Sequence, residues 1–165
     1  MTITALRSLT LSGVAALTLL LSACATAPAP ATLADTLAQN PQLSTFNRLL
    51  EQAELKSSLH AVGPMTVFAP NDEAFKAVPA KTLEALAKDK EQLKAVLNFH
   101  ILPAKLTAAE IKNGNFKTVQ GAELALGRAG EFVTVEDGMV QTADIKATNG
   151  VAHIVDRVLM PPKKK

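Results

Sequence analysis

The side chains best suited to proton transfer in this chain are three histidines, because imidazole titrates near neutral pH. A hydrolase would place one of them beside a hydroxyl nucleophile and an orienting acid. The candidate pairs combine His100 or His153 with Ser57, Ser58 or Thr148, whereas His60 has no partner that the sequence identifies. The sequence contains no G-x-S-x-G turn and no H-E-x-x-H helix. We therefore expect no catalytic residue, and hydrolysis is kept only as an alternative.

Two pairs of ionisable side chains, Asp72 with Glu73 and His153 with Asp156, could take part in acid–base chemistry or bind a metal. Asp72 and Glu73 are adjacent, and neighbouring side chains on a helix point in different directions. Asn71 is a helix-capping residue, and the helix dipole favours negative charge in the first turn, so we interpret this group as the start of a helix. His153 and Asp156 lie three residues apart in a predicted strand, which directs them to opposite faces. The pattern predicts neither a metal nor a cofactor.

Cys24, the only cysteine, is placed for a different chemistry, the attachment of lipid to a thiol. Residues 1–23 have the layout of a secretory signal peptide, with a charged Arg7 followed by an apolar run that is too short to span a membrane. The residues Leu-Ser-Ala-Cys at 21–24 resemble a bacterial lipobox, which implies that Cys24 is lipidated and becomes the first mature residue.

Lipidation would make this protein membrane-anchored, because acyl chains bury their methylenes in the bilayer. Cleavage after Ala23 or Ala25 without lipidation is the alternative. The next residues, 24–31, are rich in alanine and proline and predict a short stiff spacer. Residues 163–165 form a basic tail that we interpret as a solvated end, with contact to anionic lipids as the alternative.

Residues 32–162 are predicted to form one domain with its own hydrophobic core. Removing the first 23 of 165 residues takes away one of the 17 basic residues and leaves 16 against 15 acidic ones, so the charge does not indicate nucleic acid as a partner. With Cys24 used, no disulfide is available, and burial alone must hold the domain together.

The elements that must position these residues change in type along the chain. Apolar residues recur at helical spacing up to about residue 99, and short β-type segments separated by glycines follow. The predicted helices lie near 32–39, 44–55, 72–78, 79–88 and 90–98, with a break at Asp89 and a helical turn at 107–112. The predicted strands are 65–68, 99–102, 116–119, 123–126, 131–135, 139–142 and 151–159, most of them in antiparallel hairpins. Helices first and strands later predict an α+β domain with a helical layer packed on a sheet or sandwich.

Two distant segments carry a resemblance to a known family. Residues 66–75 (TVFAPNDEAF) and 149–162 (NGVAHIVDRVLMPP) resemble the two signature blocks of the fasciclin-like FAS1 domain, and residues 98–103 (NFHILP) are similar to its central histidine segment. The resemblance implies the FAS1 fold and an extracytoplasmic adhesion or interaction module.

The same resemblance implies four partner-binding residues. Phe99 and His100 match a pair linked to adhesion in some family members, although Phe99 replaces the usual tyrosine and lacks its hydroxyl. Asp144 and Ile145 match an Asp-Ile pair implicated in integrin recognition. In the alternative interpretation, which we favour, Ile145 fills the core and Asp144 bonds local amides. His100 is likewise interpreted as a buried histidine bonded to the backbone or to a residue such as Asn149 or Asp156.

The sequence thus predicts a non-enzymatic, lipid-anchored envelope protein, facing the periplasm or the cell surface and placed at the outer membrane. Its expected partner is an envelope or extracellular protein or a polysaccharide. A domain that binds an apolar small molecule, a lipid or a pigment, is the alternative, and an apolar pocket would be its sign.

Overall fold

The computed structural model describes residues 31–61 and 63–162. The predicted signal peptide, lipidated Cys24, most of the spacer and the basic tail lie outside the described residues. The helices are α1 (Leu33–Ala38), α2 (Ser44–Gln52), α3 (Asp72–Lys76), α4 (Ala80–Lys88) and α5 (Lys90–Phe99), with short 3-10 turns at Pro41–Leu43 and Ser58–His60. The strands are β1 (Met65–Pro70), β2 (Ile101–Leu102), β3 (Gly114–Lys117), β4 (Glu123–Ala129), β5 (Phe132–Val135), β6 (Gly138–Ala147) and β7 (Gly150–Val155).

Side-chain caps mark the start of three of the five described α-helices, α1, α3 and α5. Thr32 and Asp35 form a reciprocal capping box at the start of α1. The Asn71 side chain accepts a hydrogen bond from the Ala74 amide at the start of α3, as predicted. Asp89 caps α5 and separates it from α4, which confirms the predicted break. The second helix is shorter than predicted, since Glu54 adopts a left-handed conformation with φ 58°.

One mixed sheet contains all seven strands in the order β2-β1-β7-β6-β5-β4-β3. β1 and β7 are parallel, and every other neighbouring pair is antiparallel. The Val119 amide, just after β3, donates to the Ile101 carbonyl oxygen of β2 at 2.8 Å, so the two edges approach and the sheet nearly closes into a barrel. The predicted α+β class is confirmed, and the parallel pair is the feature that hairpin patterns did not indicate.

The two faces of the β1 and β7 pair support two hydrophobic clusters. One face carries Val67, Ala152 and Ile154 and packs against the helices. The other carries Phe68 and Val155 and packs against the remainder of the sheet as it folds over. Because both faces are covered, every residue of β7 is buried.

The predicted final strand over 151–159 is wrong at its end, because β7 stops at Val155. Asp156 then bonds β6 instead: its amide donates to the Met139 carbonyl oxygen, and its carboxylate accepts from the Met139 amide at 2.7 Å. The predicted strand at 99–102 is also shorter than expected, because Phe99 ends α5 and His100 forms its C-terminal cap. Among residues 31–61 and 63–162, no helix is both long and apolar enough to cross a membrane.

Candidate functional site

The predicted recognition residue Asp144 lies at an irregularity in β6. The pairing of β6 with β7 shifts register between Thr142 and Ile145, and Asp144 adopts φ 58° there. Its carboxylate Oδ1 accepts a hydrogen bond from the Ala108 amide at 2.8 Å, and its own amide donates to His153 Nδ1 at 3.2 Å. The side chain therefore bonds a loop 36 residues away in sequence, not local amides.

His153 is fully buried beneath this irregularity and joins two backbone segments. Since Nδ1 accepts from the Asp144 amide, the ring proton belongs on Nε2, which donates to the Leu106 carbonyl oxygen at 2.9 Å. The ring also stacks on Phe68 with centroids 5.4 Å apart. Burial lowers the pKa of His153, although the Leu106 bond and the charge of Asp144 oppose the shift. The ring is thus held neutral in one tautomer.

Thr66 completes the attachment of the same loop. Its hydroxyl donates to the Ala104 carbonyl oxygen at 2.6 Å and accepts from the Leu106 amide at 2.8 Å. We call Thr66, Asp144 and His153 the polar clasp, because together they fix the loop over residues 103–108 across the sheet. The clasp satisfies backbone groups of Ala104, Leu106 and Ala108, which lie outside the strands, and so holds this loop on the sheet.

His100 has a parallel role between the helices and the segment after β7. Its Nδ1 lies 2.8 Å from the Val96 carbonyl oxygen, and its Nε2 accepts from the Leu159 amide at 3.0 Å. Burial lowers the pKa of His100 to about 4, against the opposing effect of the Val96 bond. The predicted backbone partners are confirmed, whereas the suggested partners Asn149 and Asp156 make no hydrogen bond with the ring.

The structure does not bring the four predicted partner-binding residues to one surface. Phe99 and His100 are each 1% exposed and lie in the interior. Ile145 packs against the helix-side cluster, while Asp144 contacts the loop on the opposite face. Of the four, Asp144 is half-buried, and its second carboxylate oxygen makes no hydrogen bond within the described residues.

Two polar side chains, Asn149 and Asp72, make long-range attachments that the sequence patterns did not predict. Asn149 accepts from the Leu33 amide and donates to the Leu59 and Ala61 carbonyl oxygens, joining α1 to the turn before β7. Asp72 accepts from Ser44 and Thr45 at the start of α2. Burial raises its pKa, but these hydrogen bonds together outweigh burial and the pKa is lowered. For Asp72, the only sequence signal of a structural role is its position directly after the capping residue Asn71.

Two of the three candidate nucleophiles, Ser57 and Thr148, bond backbone groups, and Ser58 makes no side-chain hydrogen bond within the described residues. Ser57 Oγ donates to the Glu54 carbonyl oxygen, and Thr148 Oγ1 donates to that of Ala31. His60 Nδ1 lies 3.0 Å from Thr32 Oγ1, whose hydroxyl also bonds Asp35 at 2.6 Å. Within residues 31–61 and 63–162 no group of three His, Cys, Asp or Glu side chains could hold a metal ion.

Together these features define an α+β domain with a nearly closed mixed sheet, in which buried polar side chains fix loops. The model of the family described as "Fasciclin domain" matches residues 41–161, and the chain belongs to this family. The fold is similar to a FAS1 domain pair from the insect cell adhesion molecule fasciclin I, with a TM-score of 0.64 at 15% identity, covering 79% of this chain and 51% of that one.

Relatives by sequence come from bacteria and animals. Protein sll1483 of Synechocystis is 38% identical over 133 residues, which cover 79% of this chain and 74% of that protein. The cell surface glycolipoprotein MPB83 of Mycobacterium bovis is 30% identical over 79% of this chain and 60% of its own length. Human periostin is 34% identical over 81% of this chain, but the match spans 16% of periostin. The chain therefore corresponds to one part of the larger relatives.

Proposed function

We propose that this protein is a lipid-anchored, non-enzymatic module of the bacterial envelope that acts by adhesion or by binding a protein or polysaccharide partner. The observation that carries the proposal is the match of residues 41–161 to a family with surface relatives, in a chain with a lipobox-like Cys24. The acyl chains would hold the domain at the membrane, and the spacer would separate the two.

The contacts of the polar residues support a binding role over catalysis. Both buried histidines bridge backbone groups, and burial lowers the pKa of each, so they remain neutral supports. A general base needs an unpaired nitrogen within reach of a substrate proton. Neither ring presents one, since both nitrogens of each make hydrogen bonds.

The binding surface that we propose is the exposed stretch of β6 beside the polar clasp. Thr142, Ala143 and Lys146 are exposed there, and Asp144 contributes its second carboxylate oxygen. The clasp fixes the backbone of this stretch, which lowers the entropy cost of ordering it on binding. A fixed carboxylate next to a lysine offers charge-assisted hydrogen bonds of both polarities to a partner.

Site-specific photo-crosslinking in intact cells tests this surface. A photoreactive residue at Ala143 should capture a discrete partner, and the same residue at Lys81, exposed on α4, is the matched control. Capture at position 143 that is lost on Asp144→Asn supports the proposal, provided that the variant melts at the wild-type temperature. Capture only from position 81 would move the interface to the helices.

A second function, binding of an apolar small molecule, has one structural observation in its favour. A cleft of about 430 Å³ between α2 and α4 is lined by Leu49, Leu83 and Leu86, and also by Arg48 and Glu84. Organic extraction of protein purified from its native envelope, followed by mass spectrometry, tests this function. A stoichiometric lipid or pigment that is lost on Leu83→Glu would favour it, and an extract without one would count against it.

A further inference from the structure

The parallel pairing of β1 and β7 gives the sheet two chemically different ends. Both strands begin at one end, where Met65 pairs with Gly150, and both finish at the other, where Pro70 pairs with Val155. Clefts at the finishing end are lined by Asp72, Glu73, Asp137 and Asp156, of which Asp137 pairs with Arg157 and Glu73 with Lys76. We call this the acidic end.

The starting end carries the opposite character. A cleft of about 450 Å³ lies there, and His60, Lys105, Thr32 and Thr148 line it with the Asn149-Gly150 turn. None of the described residues that line it carries a carboxylate, although the Asp35 carboxylate accepts from the Thr32 hydroxyl of this lining at 2.6 Å. We call this the basic end. The charge difference between the ends would orient the domain in front of any charged surface.

The two basic side chains of this cleft are available for a ligand. Lys105 is exposed and forms none of the four ion pairs seen among the described residues, although its charge is one of the causes that lower the pKa of Glu110. The Thr32 hydroxyl bonds Asp35 at 2.6 Å, so His60 Nδ1 is the donor in its contact with Thr32. Asp35 thereby orients the ring through Thr32, and no described residue bonds Nε2. In its doubly protonated form the ring presents Nε2–H to an anion.

The chain reaches this domain at the basic end. The Ala31 carbonyl oxygen accepts hydrogen bonds from the amide and hydroxyl of Thr148, which lines the same cleft. From Cys24 to Ala31 the chain has seven steps and can span at most about 25 Å. A lipid on Cys24 would therefore keep the basic end, and not the acidic end, next to the headgroups.

We propose that the basic end docks on the membrane surface, with the phosphate of an anionic phospholipid bound in the cleft by His60 and Lys105. This inference rests on the lipid anchor of the proposed function, which supplies the proximity. The anionic surface attracts each basic group and the acidic end is repelled, so the domain holds one orientation. The β6 surface would then stand at a fixed height beside the bilayer.

Lysine reactivity on vesicles tests the docking. The full mature protein is bound to vesicles of phosphatidylcholine alone or with phosphatidylglycerol, and acylation of each lysine by an amine reagent is followed by mass spectrometry. Phosphatidylglycerol should slow acylation of Lys105 by about fivefold, the effect expected for one basic group at an anionic surface. Lys76, which lies on α3 near the acidic end, should react equally on both vesicles. Equal rates for Lys105 on both would overturn the proposal.

Variants and free phosphate separate the alternatives. His60→Ala, which removes the ring donor, should remove most of the protection of Lys105, whereas Lys112→Ala, at another exposed lysine, should leave it intact. Full protection of Lys105 by millimolar inorganic phosphate without vesicles would identify a soluble-anion site and overturn membrane docking. In a Cys24→Ser background, Lys105→Gln should weaken binding to phosphatidylglycerol vesicles about fivefold. Unchanged binding would contradict the cleft.

Flotation distinguishes failure of this inference from failure of the anchor. Wild type that does not float with neutral phosphatidylcholine vesicles would show that Cys24 carries no lipid, whatever happens to Lys105. Flotation with neutral vesicles without protection of Lys105 on anionic ones would retain the anchor and reject the docked orientation.

Discussion

At the scale of single residues, His100 and the polar clasp make their hydrogen bonds to backbone groups. His100 and His153 each accept from one amide and contact one carbonyl oxygen, so each ring satisfies backbone groups of two separate segments. Protonation of either ring removes its acceptor nitrogen. Stability should therefore depend on pH in a range where carboxylates remain ionised.

The first prediction concerns that pH dependence. The pKa of His100 is lowered from 6.5 to about 4. Between these pH values the unfolded state therefore binds a proton that the folded state does not bind. The contribution is complete above pH 6.5, falls as the pH drops from 6.5, and is fully lost below about 4. The loss should approach roughly 3 kcal/mol. His153 shifts in the same direction and adds to it.

Urea denaturation at a series of pH values between 4 and 7.5 measures this loss. The carboxylates of Asp72 and Asp35, whose pKa values are lowered, lose their contributions only below their ordinary range near 4, so the two effects separate. A free energy of unfolding that stays constant between pH 7 and 5 would contradict the buried neutral histidines.

The second prediction compares two members of the polar clasp. His153→Phe keeps an aromatic ring on Phe68 but leaves the Leu106 carbonyl oxygen and the Asp144 amide unpaired, which should cost roughly 2–5 kcal/mol. Asp144→Asn retains Oδ1 as the acceptor for Ala108 and should cost less than about 1 kcal/mol. Thermal or urea unfolding of both variants gives the comparison. Equal losses would mean that the clasp is not organised by the imidazole.

Local residues were predictable where their partners are close in sequence. The Asn71 cap and the break at Asp89 were found because each bonds amides within three residues. The acceptor role of Asp144 for Ala108 and the contacts of Asp72 with α2 were missed, since their partners lie 27 to 36 residues away. A sequence pattern names the polar residue but not the distant backbone group that it must satisfy.

At the scale of elements, the domain depends on the turn that leads into β7. Asn149 fixes this turn to α1, and Gly150 passes directly beneath the carbonyl of Met65 at the start of the parallel pair. A Cβ at position 150 would overlap the Met65 carbonyl oxygen and approach Leu33 Cδ1 to 2.7 Å. The close approach of β1 and β7 therefore requires glycine here.

The third prediction compares Gly150, which a close backbone approach requires, with Gly121, which a positive φ favours. Gly150→Ala should cost at least about 3 kcal/mol, because a backbone oxygen cannot move away within the sheet. Gly121→Ala meets no atom within 4 Å, but the residue has φ 99°, so it should cost only about 1–2 kcal/mol of backbone strain. Urea midpoints of the two variants test the ranking. A milder effect at position 150 would show that the two strands can separate at that end.

Element types were easier to predict than their neighbours. The helical spacing and the glycine-separated hairpins gave the right classes of element, since both signals are local. The parallel pairing of β1 with β7 was not visible, because its two strands are separated by five other strands and three helices. Alternation within β7 was also uninformative, since both of its faces are buried.

At the scale of the whole molecule, the basic and acidic ends give the domain a direction relative to its attachment. Ala31 is bonded at the basic end, and the segment from Asp156 to Met160 lies at the acidic end. The proposed anchor and the domain thus share one axis, along the strands β1 and β7. This direction affects the orientation of the domain in the cell only when the chain is attached to the membrane through Cys24.

The fourth prediction tests that position. Cys24→Ser should transfer the protein from the membrane to the soluble envelope fraction, because a domain without acyl chains lacks their buried methylenes. Fractionation of cells that express each form, with detection of the domain, measures the shift. Cys24→Ser protein that stays in the membrane fraction would mean that the attachment does not depend on this thiol.

The opposite placement of Ala31 and Met160 has a mechanical consequence. A pull applied between these two residues acts along the strands, so the hydrogen bonds joining β1 and β7 are loaded together in shear. A pull across the strands would instead break such bonds one after another, at lower force. A domain tethered on one side and stretched from the other is therefore built to bear tension along its length.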